Sequence, residues 1–453
     1  MKDGRIKDWD FYKKLIAVAV PIVIQNFISS SLNMVDTVMI GKLGDQSIAA
    51  VGLSNQVFFL FVVILFGVFS GASIFTSQYW GKRDVKNIRR VLGVCLTAGI
   101  SIAIIFTILV MIFPKGILSI FSKDINVILL GTEYIVIVAL SYVFTAVSFA
   151  YGFSSRSIGQ AKIPMFVSGI SLGCNTFFNY VLIFGNFGAP ALGVKGAAYA
   201  TLLARTVDVV LILVIVYRSD IAIAAKISEL LDLSREFVIK IFKTAAPVII
   251  NEFFWSLGMT AYTVAYARMS TEAIASVQIG NTIQNLFFIL SIGLGNACTV
   301  ILGNEIGANN EKKAIDYSKK FFFVGIIVSF VLGVILFVSA PLIVSFFNVS
   351  KGVIQNTVII LKIISMFIVV KTCNIIIIVG VLRSGGDTKY AMFLEMSSIW
   401  LIGVPLVFLG AWYWKLPVYI VVLLANLEEI IKLAIGIPRV ISKKWVKNLV
   451  NQE

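Results

Sequence analysis

The sequence predicts an all-α polytopic membrane protein of twelve transmembrane helices in two parallel six-helix repeats. Three observations carry this prediction. Hydrophobic residues make up 59% of the 453 positions and charged residues only 13%, against about a quarter charged in soluble domains. The apolar residues gather into twelve runs of spanning length, judged against the roughly 20 residues a transmembrane helix needs. The second half of the chain also repeats the first in register.

The first six runs cover approximately residues 15–40, 49–79, 91–113, 126–154, 163–184 and 192–217, and the second six approximately 239–266, 273–303, 321–343, 353–381, 390–411 and 417–440. Their orientation follows from Lys and Arg, which short loops retain on the cytoplasmic side. Lys2, Arg5, Lys7, Lys13 and Lys14 precede the first run, and Lys82, Arg83, Lys86, Arg89 and Arg90 follow the second. Basic residues follow every even-numbered run, so that 27 of the 38 lie on one side. The alternate loops hold seven, among them Lys42, Arg268, Lys351 and Lys415. A multi-pass plasma-membrane protein with both termini cytoplasmic is therefore expected. The net charge of +15 is membrane topology rather than a nucleic-acid footprint, because no basic cluster is interleaved with a soluble module.

The amino-terminal segment is hydrophilic and the first apolar run is too long for a signal peptide, so no cleavage is expected. Cys95, Cys174, Cys298 and Cys373 stand singly in predicted helices without CxxC spacing, and they are assigned no metal or redox role. The chain has no histidine. A histidine-ligated metal is thereby excluded, and any proton relay must run on carboxylates. No P-loop pattern and no paired-acid constellation occurs, so neither ATP-driven transport nor enzymatic catalysis is expected, and no cofactor.

At an offset of 226, Pro21 meets Pro247, Ile24 meets Ile250, Phe27 meets Phe253 and Thr37-Val38 meets Thr263-Val264. The register continues through Asn55 on Asn281, Gly67 on Gly293 and Gly81 on Gly307. After one inserted residue, Arg156-Ser157, Gly159 and Lys162 fall on Arg383-Ser384, Gly386 and Lys389. Six of the nine prolines are explained by the repeat. An even number of spans in each half makes the repeats parallel, related by an axis along the membrane normal, which is an architecture of alternating-access transporters. Residues 1–218 form the expected amino-terminal lobe and 239–453 the carboxy-terminal lobe with its tail. Residues 219–238 read as a cytoplasmic linker, with an amphipathic helix centred on Ile227-Ser228-Glu229-Leu230-Leu231-Asp232-Leu233.

Polar residues inside the apolar runs are the candidates for function, since a charge at mid-bilayer costs about 2.5–3.5 kcal/mol even on insertion scales. Asp36 stands first: no Lys or Arg lies three or four residues away to neutralise it. Protonation and cation binding are competing ways of neutralising such a group. Asn175 and Asn179 are spaced i,i+4 on one helix face. They can present carbonyl oxygens to a small cation or hydrogen-bond a carboxylic acid, or serve as interhelical hydrogen-bonding residues. Thr201 adds a hydroxyl on the sixth span. Arg205 with Asp208, and Glu428 with Lys432, are spaced to neutralise each other and read as structural. Glu252, Lys371 and Asn374 are the candidate polar residues of the second lobe. Pro21 removes a backbone hydrogen bond from the first span and supplies a bend.

These residues and their order give the chain a resemblance, over its whole length, to the multidrug and toxic compound extrusion transporters. The resemblance rests on Pro21 with Asp36 fifteen residues on, on Val35-Asp36-Thr37-Val38-Met39-Ile40-Gly41-Lys42-Leu43-Gly44 with Ile48-Ala49-Ala50, on Gly193-Val194-Lys195-Gly196-Ala197-Ala198-Tyr199-Ala200-Thr201, and on Leu302-Gly303-Asn304-Glu305-Ile306-Gly307-Ala308. It implies a V-shaped bilobate fold and export of amphipathic, often cationic compounds in exchange for sodium ions or protons. By position, Asp36, Asn175, Asn179 and Thr201 match the family's amino-terminal cation site, with sodium at Asp36 as one form of occupancy. Some members carry a carboxylate where this chain has Asn179, so one ionisable group is missing here. NorM-type members carry carboxylates on the seventh and tenth spans; the matching positions look like Trp255 and Thr372, and Lys371 has the wrong sign for a cation site. That second site is not carried over.

The expected partners are small amphipathic or cationic molecules and membrane lipids, with no nucleic acid and a monomeric state. The alternative function is a lipid-linked oligosaccharide flippase of the same broad superfamily. Such flippases usually show extra helices and an arginine-rich cavity, whereas this sequence places only Arg205 at mid-membrane.

Overall fold

The computed structural model describes residues 2–347 and 349–451, and its regular structure among these residues is entirely helical. The first half comprises α1 (Lys2–Gly41), α2 (Asp45–Lys82), α3 (Val85–Ile112), the short α4 (Pro114–Ser119), α5 (Ile125–Ala139), α6 (Tyr142–Ser157), α7 (Lys162–Phe184) and α8 (Val194–Arg218). After α9 (Ile227–Leu230) come α10 (Arg235–Met269), α11 (Thr271–Gly307), α12 (Glu311–Ser345), α13 (Lys351–Ile375), α14 (Thr388–Ser398), α15 (Val404–Phe408) and α16 (Val418–Ile441). Segments of π-helix extend α13 through Leu382 and join α14 to α15 and beyond. Each of the twelve expected runs is therefore helical. Among the described residues nine helices are long and apolar enough to cross a membrane unaided. α10 and α16 are not among the nine; their spans carry Asn251 and Glu252, and Asn426, Glu428, Glu429 and Lys432.

The fourth expected run departs from a single helix. α5 and α6 meet at a bend of 50° around Leu140. There the Thr107 hydroxyl donates to the Ala139 carbonyl at 3.0 Å, taking an acceptor at the end of the α5 hydrogen-bond ladder, a recognised cause of sharp kinks. Helix ends follow ordinary capping chemistry: Asp84 accepts from the Asn87 amide at 3.1 Å and Ser270 from the Ala273 amide at 3.0 Å. Gly185 closes α7 at φ +74°, a left-handed conformation suited to glycine.

The amphipathic linker helix expected within residues 219–238 shrinks to the single turn of α9, and Arg235 already begins α10. Its charges are consumed by tertiary contacts. Arg89 donates to Glu229 at 2.7 Å and to the Ala222 carbonyl at 3.1 Å, while Arg90 donates to the Asp232 carbonyl at 2.7 Å. Both arginines come from α3, so the segment is anchored to that helix rather than standing as a free helix.

The chain resolves into two compact units. One holds residues Ile24–Thr76 and Asp84–Ala245; the other holds Met1–Val23, Ser77–Arg83 and Ala246–Glu453. The division runs through α1, α2 and α10, and it falls within three residues of Pro21 and of Pro247. α1 nonetheless runs unbroken through Pro21.

Inside the carboxy-terminal unit, the last turns of α2 lie against α11 backbone to backbone. A Cβ on Gly81 would fall 1.9 Å from the Asn304 carbonyl oxygen, and one on Gly307 1.8 Å from that of Gln78. The tail closes over this contact. Gln78 Nε2 donates to the Ser384 and Lys447 carbonyls at 2.9 and 3.1 Å, and its Oε1 accepts from the Leu449 amide at 2.8 Å. Trp445 is fully buried, and Asp387 receives Arg439 at 2.8 Å and Lys447 at 2.7 Å. Trp445→Ala is expected to destabilise the detergent-solubilised protein by about 3–5 kcal/mol, as for other buried Trp truncations, read as a lower thermal midpoint. Gly307→Ala should also lower the midpoint, whereas Gly52→Ala, whose Cβ meets nothing within 4 Å, should leave it unchanged.

Candidate functional site

Asp36 lies on the half of α1 that belongs to the amino-terminal unit, and the fold brings to it the two amides read from the sequence. Asn179 Nδ2 donates to Asp36 Oδ1 at 2.5 Å and to Asn175 Oδ1 at 2.9 Å. The i,i+4 spacing on α7 puts both amides on one face. Asn175 and Asn179 are 2% and 1% exposed, whereas Asp36 is half-buried. The Asn179 carbonyl oxygen is buried without a hydrogen-bond donor. A carboxylate beside an orphaned carbonyl oxygen is a donor set of hard oxygens, the chemistry that suits a small cation.

Thr201 is nearby but is not bonded to Asp36. Its hydroxyl donates to the Ala197 carbonyl at 3.0 Å within α8, and it meets the Tyr134 phenol of α5. Tyr134 is buried and close enough to Asp36 to interact with its charge, as is Arg205. Tyr134 gave no signal in the sequence, being one of 14 tyrosines. Arg205 and Asp208 do not pair as their spacing suggested. The Arg205 guanidinium lies 5.8 Å from the Phe58 ring centre, and Asp208 accepts from Ser148 of α6.

The second-lobe candidates separate into two clusters. Glu252 has a partner remote in sequence, Arg383 at 2.7 Å, and beside it Asn251 Nδ2 donates to Glu395 at 2.6 Å. The same clamp stands in the amino-terminal unit, where Arg156 donates to Gln25 at 2.7 Å and Gln25 to Ser168 at 3.0 Å. Gln25 corresponds to Asn251 in the repeat, Arg156 to Arg383 and Ser168 to Glu395. Lys371 and Asn374 belong to the other cluster. Asn374 donates to Glu429 Oε2 at 2.7 Å; Lys432 lies 3.1 Å from Glu428 and 3.5 Å from Glu429; Tyr262 donates to Glu428 at 2.8 Å. Lys371 interacts with both glutamates through charge alone. Thr372, at one position where NorM-type members carry a carboxylate, shares a 2.7 Å hydrogen bond with Ser291.

Superposing the repeats in sequence makes the two clusters comparable. Tyr262 occupies the place of Asp36, Glu428 that of Thr201, and Lys432 that of Arg205. The carboxylate has moved from the first helix of the unit to the last, where Lys432 neutralises it in place. The carboxy-terminal cluster is an internally paired ionic core, and the amino-terminal one keeps its carboxylate without a contact ion pair among the described residues.

A duplicated bundle of apolar helices with a half-buried carboxylate, not neutralised in place, in one half is an architecture suited to a membrane transporter. The MatE family model matches residues 21–181 and again residues 247–409, one copy per repeat, and the chain belongs to that family of multidrug and toxic compound extrusion transporters. It is 28% identical over 419 residues to a probable multidrug resistance protein NorM of Thermotoga maritima, covering 89% of this chain and 86% of that protein. It is 26% identical over 418 residues to the probable multidrug resistance protein YoeA of Bacillus subtilis, covering 90% and 88%. Its fold matches a Vibrio cholerae MATE transporter, VcmN, with a TM-score of 0.89 at 16% identity, over 98% of this chain and 99% of that one. A MATE structure in complex with MaL6 matches with a TM-score of 0.87 at 18% identity, over 95% and 97%.

Lys432→Met leaves Glu428 and Glu429 buried and unpaired, and breaking such a pair costs about 3–5 kcal/mol. A loss of folded yield is expected. Glu428→Gln/Lys432→Met should recover much of it, as measured by thermal midpoint.

Proposed function

We propose that this chain is a secondary active exporter of amphipathic, chiefly cationic compounds, driven by sodium ions or protons that enter as the compound leaves. Asp36 is the residue at which the ion is bound, with Asn175 and Asn179 as its partners and Thr201 at the rim of the site. The observation that carries the reading is the half-buried Asp36 carboxylate, held by Asn179 Nδ2 and set beside an orphaned carbonyl oxygen. Membership of the extrusion family and relatives named as multidrug resistance proteins support it. The protein acts in the plasma membrane with both termini in the cytoplasm, in keeping with the clustering of Lys and Arg.

Coupling requires that the ion bind two conformations with different affinity, since a ligand shifts an equilibrium only by that difference. Neutralising Asp36 changes the number of charges that the amino-terminal unit must keep from lipid. Pro21 and Pro247 are suited to take up the backbone change, because each removes a hydrogen bond from a long helix close to where that helix passes from one unit to the other.

Purified protein in liposomes loaded with a fluorescent cationic dye tests the reading. Imposed sodium and proton gradients, applied separately, should show which ion drives dye movement, and ATP should drive none. Asp36→Asn is expected to insert and fold normally yet move dye no faster than empty liposomes. Undiminished gradient-driven export in that variant would remove Asp36 from the coupling step. Asn179→Asp places a second carboxylate against the first, so the two must titrate as a coupled pair. Its export should acquire a dependence on pH that wild type lacks, read as a changed pH profile of dye movement.

A further inference from the structure

At the end of the carboxy-terminal unit remote from the chain termini lies a cavity of about 680 Å³. Arg268 and Lys415 reach into it from the α10–α11 connection and from the segment before α16, and Trp412, Asn356, Ser270 and Pro417 complete its wall. No carboxylate lines it. The Arg268 guanidinium sits 5.2 Å from the Trp412 ring centre, and among the described residues neither cation has an ion-pair partner. Two unneutralised cations are unexpected on this side. Only seven of the 38 basic residues fall in the loops of this face, and two of those seven converge here.

The neighbourhood fixes both depth and sign. Trp412, Tyr413 and Trp414 form a run of exposed aromatic side chains, the kind that settles at the headgroup level of a bilayer. Pro417 precedes the first turn of α16, which has no acidic residue and no side-chain cap, so that helix's amino-terminal end adds its partial positive charge to that of Arg268 and Lys415. The planar guanidinium of Arg268 lies over the Trp412 ring, and such a fork can meet two phosphate oxygens at once. The pocket at the corresponding end of the amino-terminal unit has no such lining. That pocket, of about 460 Å³, is lined by Asp45 and no cation, and Lys42, the repeat counterpart of Arg268, lies over Phe184 instead.

We propose that this cavity binds a phosphate-bearing anion, with Arg268 and Lys415 on the phosphate oxygens and Trp412 against the adjoining apolar chain. The chemistry is that of an anionic phospholipid headgroup or of free phosphate. The site is independent of Asp36 and of the coupling ion.

The test uses the intact protein in nanodiscs. Its thermal midpoint is measured in phosphatidylcholine alone, with phosphatidylglycerol added stepwise, and in phosphatidylcholine with inorganic phosphate. Wild type should rise in midpoint with phosphatidylglycerol. Arg268→Gln/Lys415→Gln should lose that rise, while Lys42→Gln keeps it. A rise with phosphatidylglycerol but none with phosphate identifies the source as lipid, and an equal rise with phosphate alone identifies the free anion. An unchanged response in the double Gln variant, or no response in wild type to either anion, overturns the proposal. Dye export is read in parallel, so that failure of the Asp36 mechanism would be seen separately.

Discussion

The cost of placing polar groups in hydrocarbon organises this molecule. A bilayer offers no water to pair a stray charge, so each ionisable side chain in a span must be neutralised by the protein or left for a ligand. The carboxy-terminal unit takes the first course: Arg383 with Glu252, and Lys432 with Glu428 and Glu429. The amino-terminal unit holds its interhelical clamp with neutral amide and hydroxyl partners around one arginine. It leaves Asp36 with an amide hydrogen bond and, among the described residues, no contact cation. Such a carboxylate can be satisfied by either a proton or a small cation, and that freedom is lost once a lysine is built in beside it.

The repeat turns this difference into a comparison within one chain. Both units use the same scaffold, down to an arginine at the end of the fourth span reaching back to the first helix of its unit. The chemistry on that scaffold has diverged at three matched places: Asp36 and Tyr262, Thr201 and Glu428, Arg205 and Lys432. A phenol donating to a glutamate already held by lysine forms a closed set of contacts that resists change. A duplicated fold thus supplies one internally paired polar core and one without a built-in cation, in keeping with the single exchange site proposed above.

Most of the fold was legible because apolar length and the positions of Lys and Arg report on the solvent, not on detailed side-chain fit. The repeat was legible because prolines and glycines mark backbone geometry, and Gly81 and Gly307 do meet a neighbouring helix at backbone distance. Asp36, Asn175 and Asn179 could be read because each is costly in a span and two share a helix face. What escaped depended on partners distant in sequence. Glu252 was recognisable as isolated, but Arg383 lies 131 residues away. Tyr134 and the anchoring of residues 219–238 by Arg89 and Arg90 are likewise products of tertiary contact. Arg205 and Asp208 show the converse error: helical spacing permits a pair, yet Ser148 and Phe58 offered each of them a better neighbour.

The Asn179 amide sharpens what kind of exchange the open site can perform. A second carboxylate 2.5 Å from Asp36 would force the two to share a proton, because like charges so close cannot both ionise in a medium of low dielectric. An amide does not compete for that proton. It donates one hydrogen bond to the carboxylate, one to Asn175, and keeps its carbonyl oxygen turned toward no donor. Protonated, Asp36 carries an O–H that can donate to that oxygen while it accepts from Asn179 Nδ2, as in an acid–amide pair; ionised, it leaves the oxygen free to join it in holding a small cation. The amide thus accommodates either a proton or a small cation at Asp36 without competing for it, which is what the proposed exchange on a single carboxylate requires.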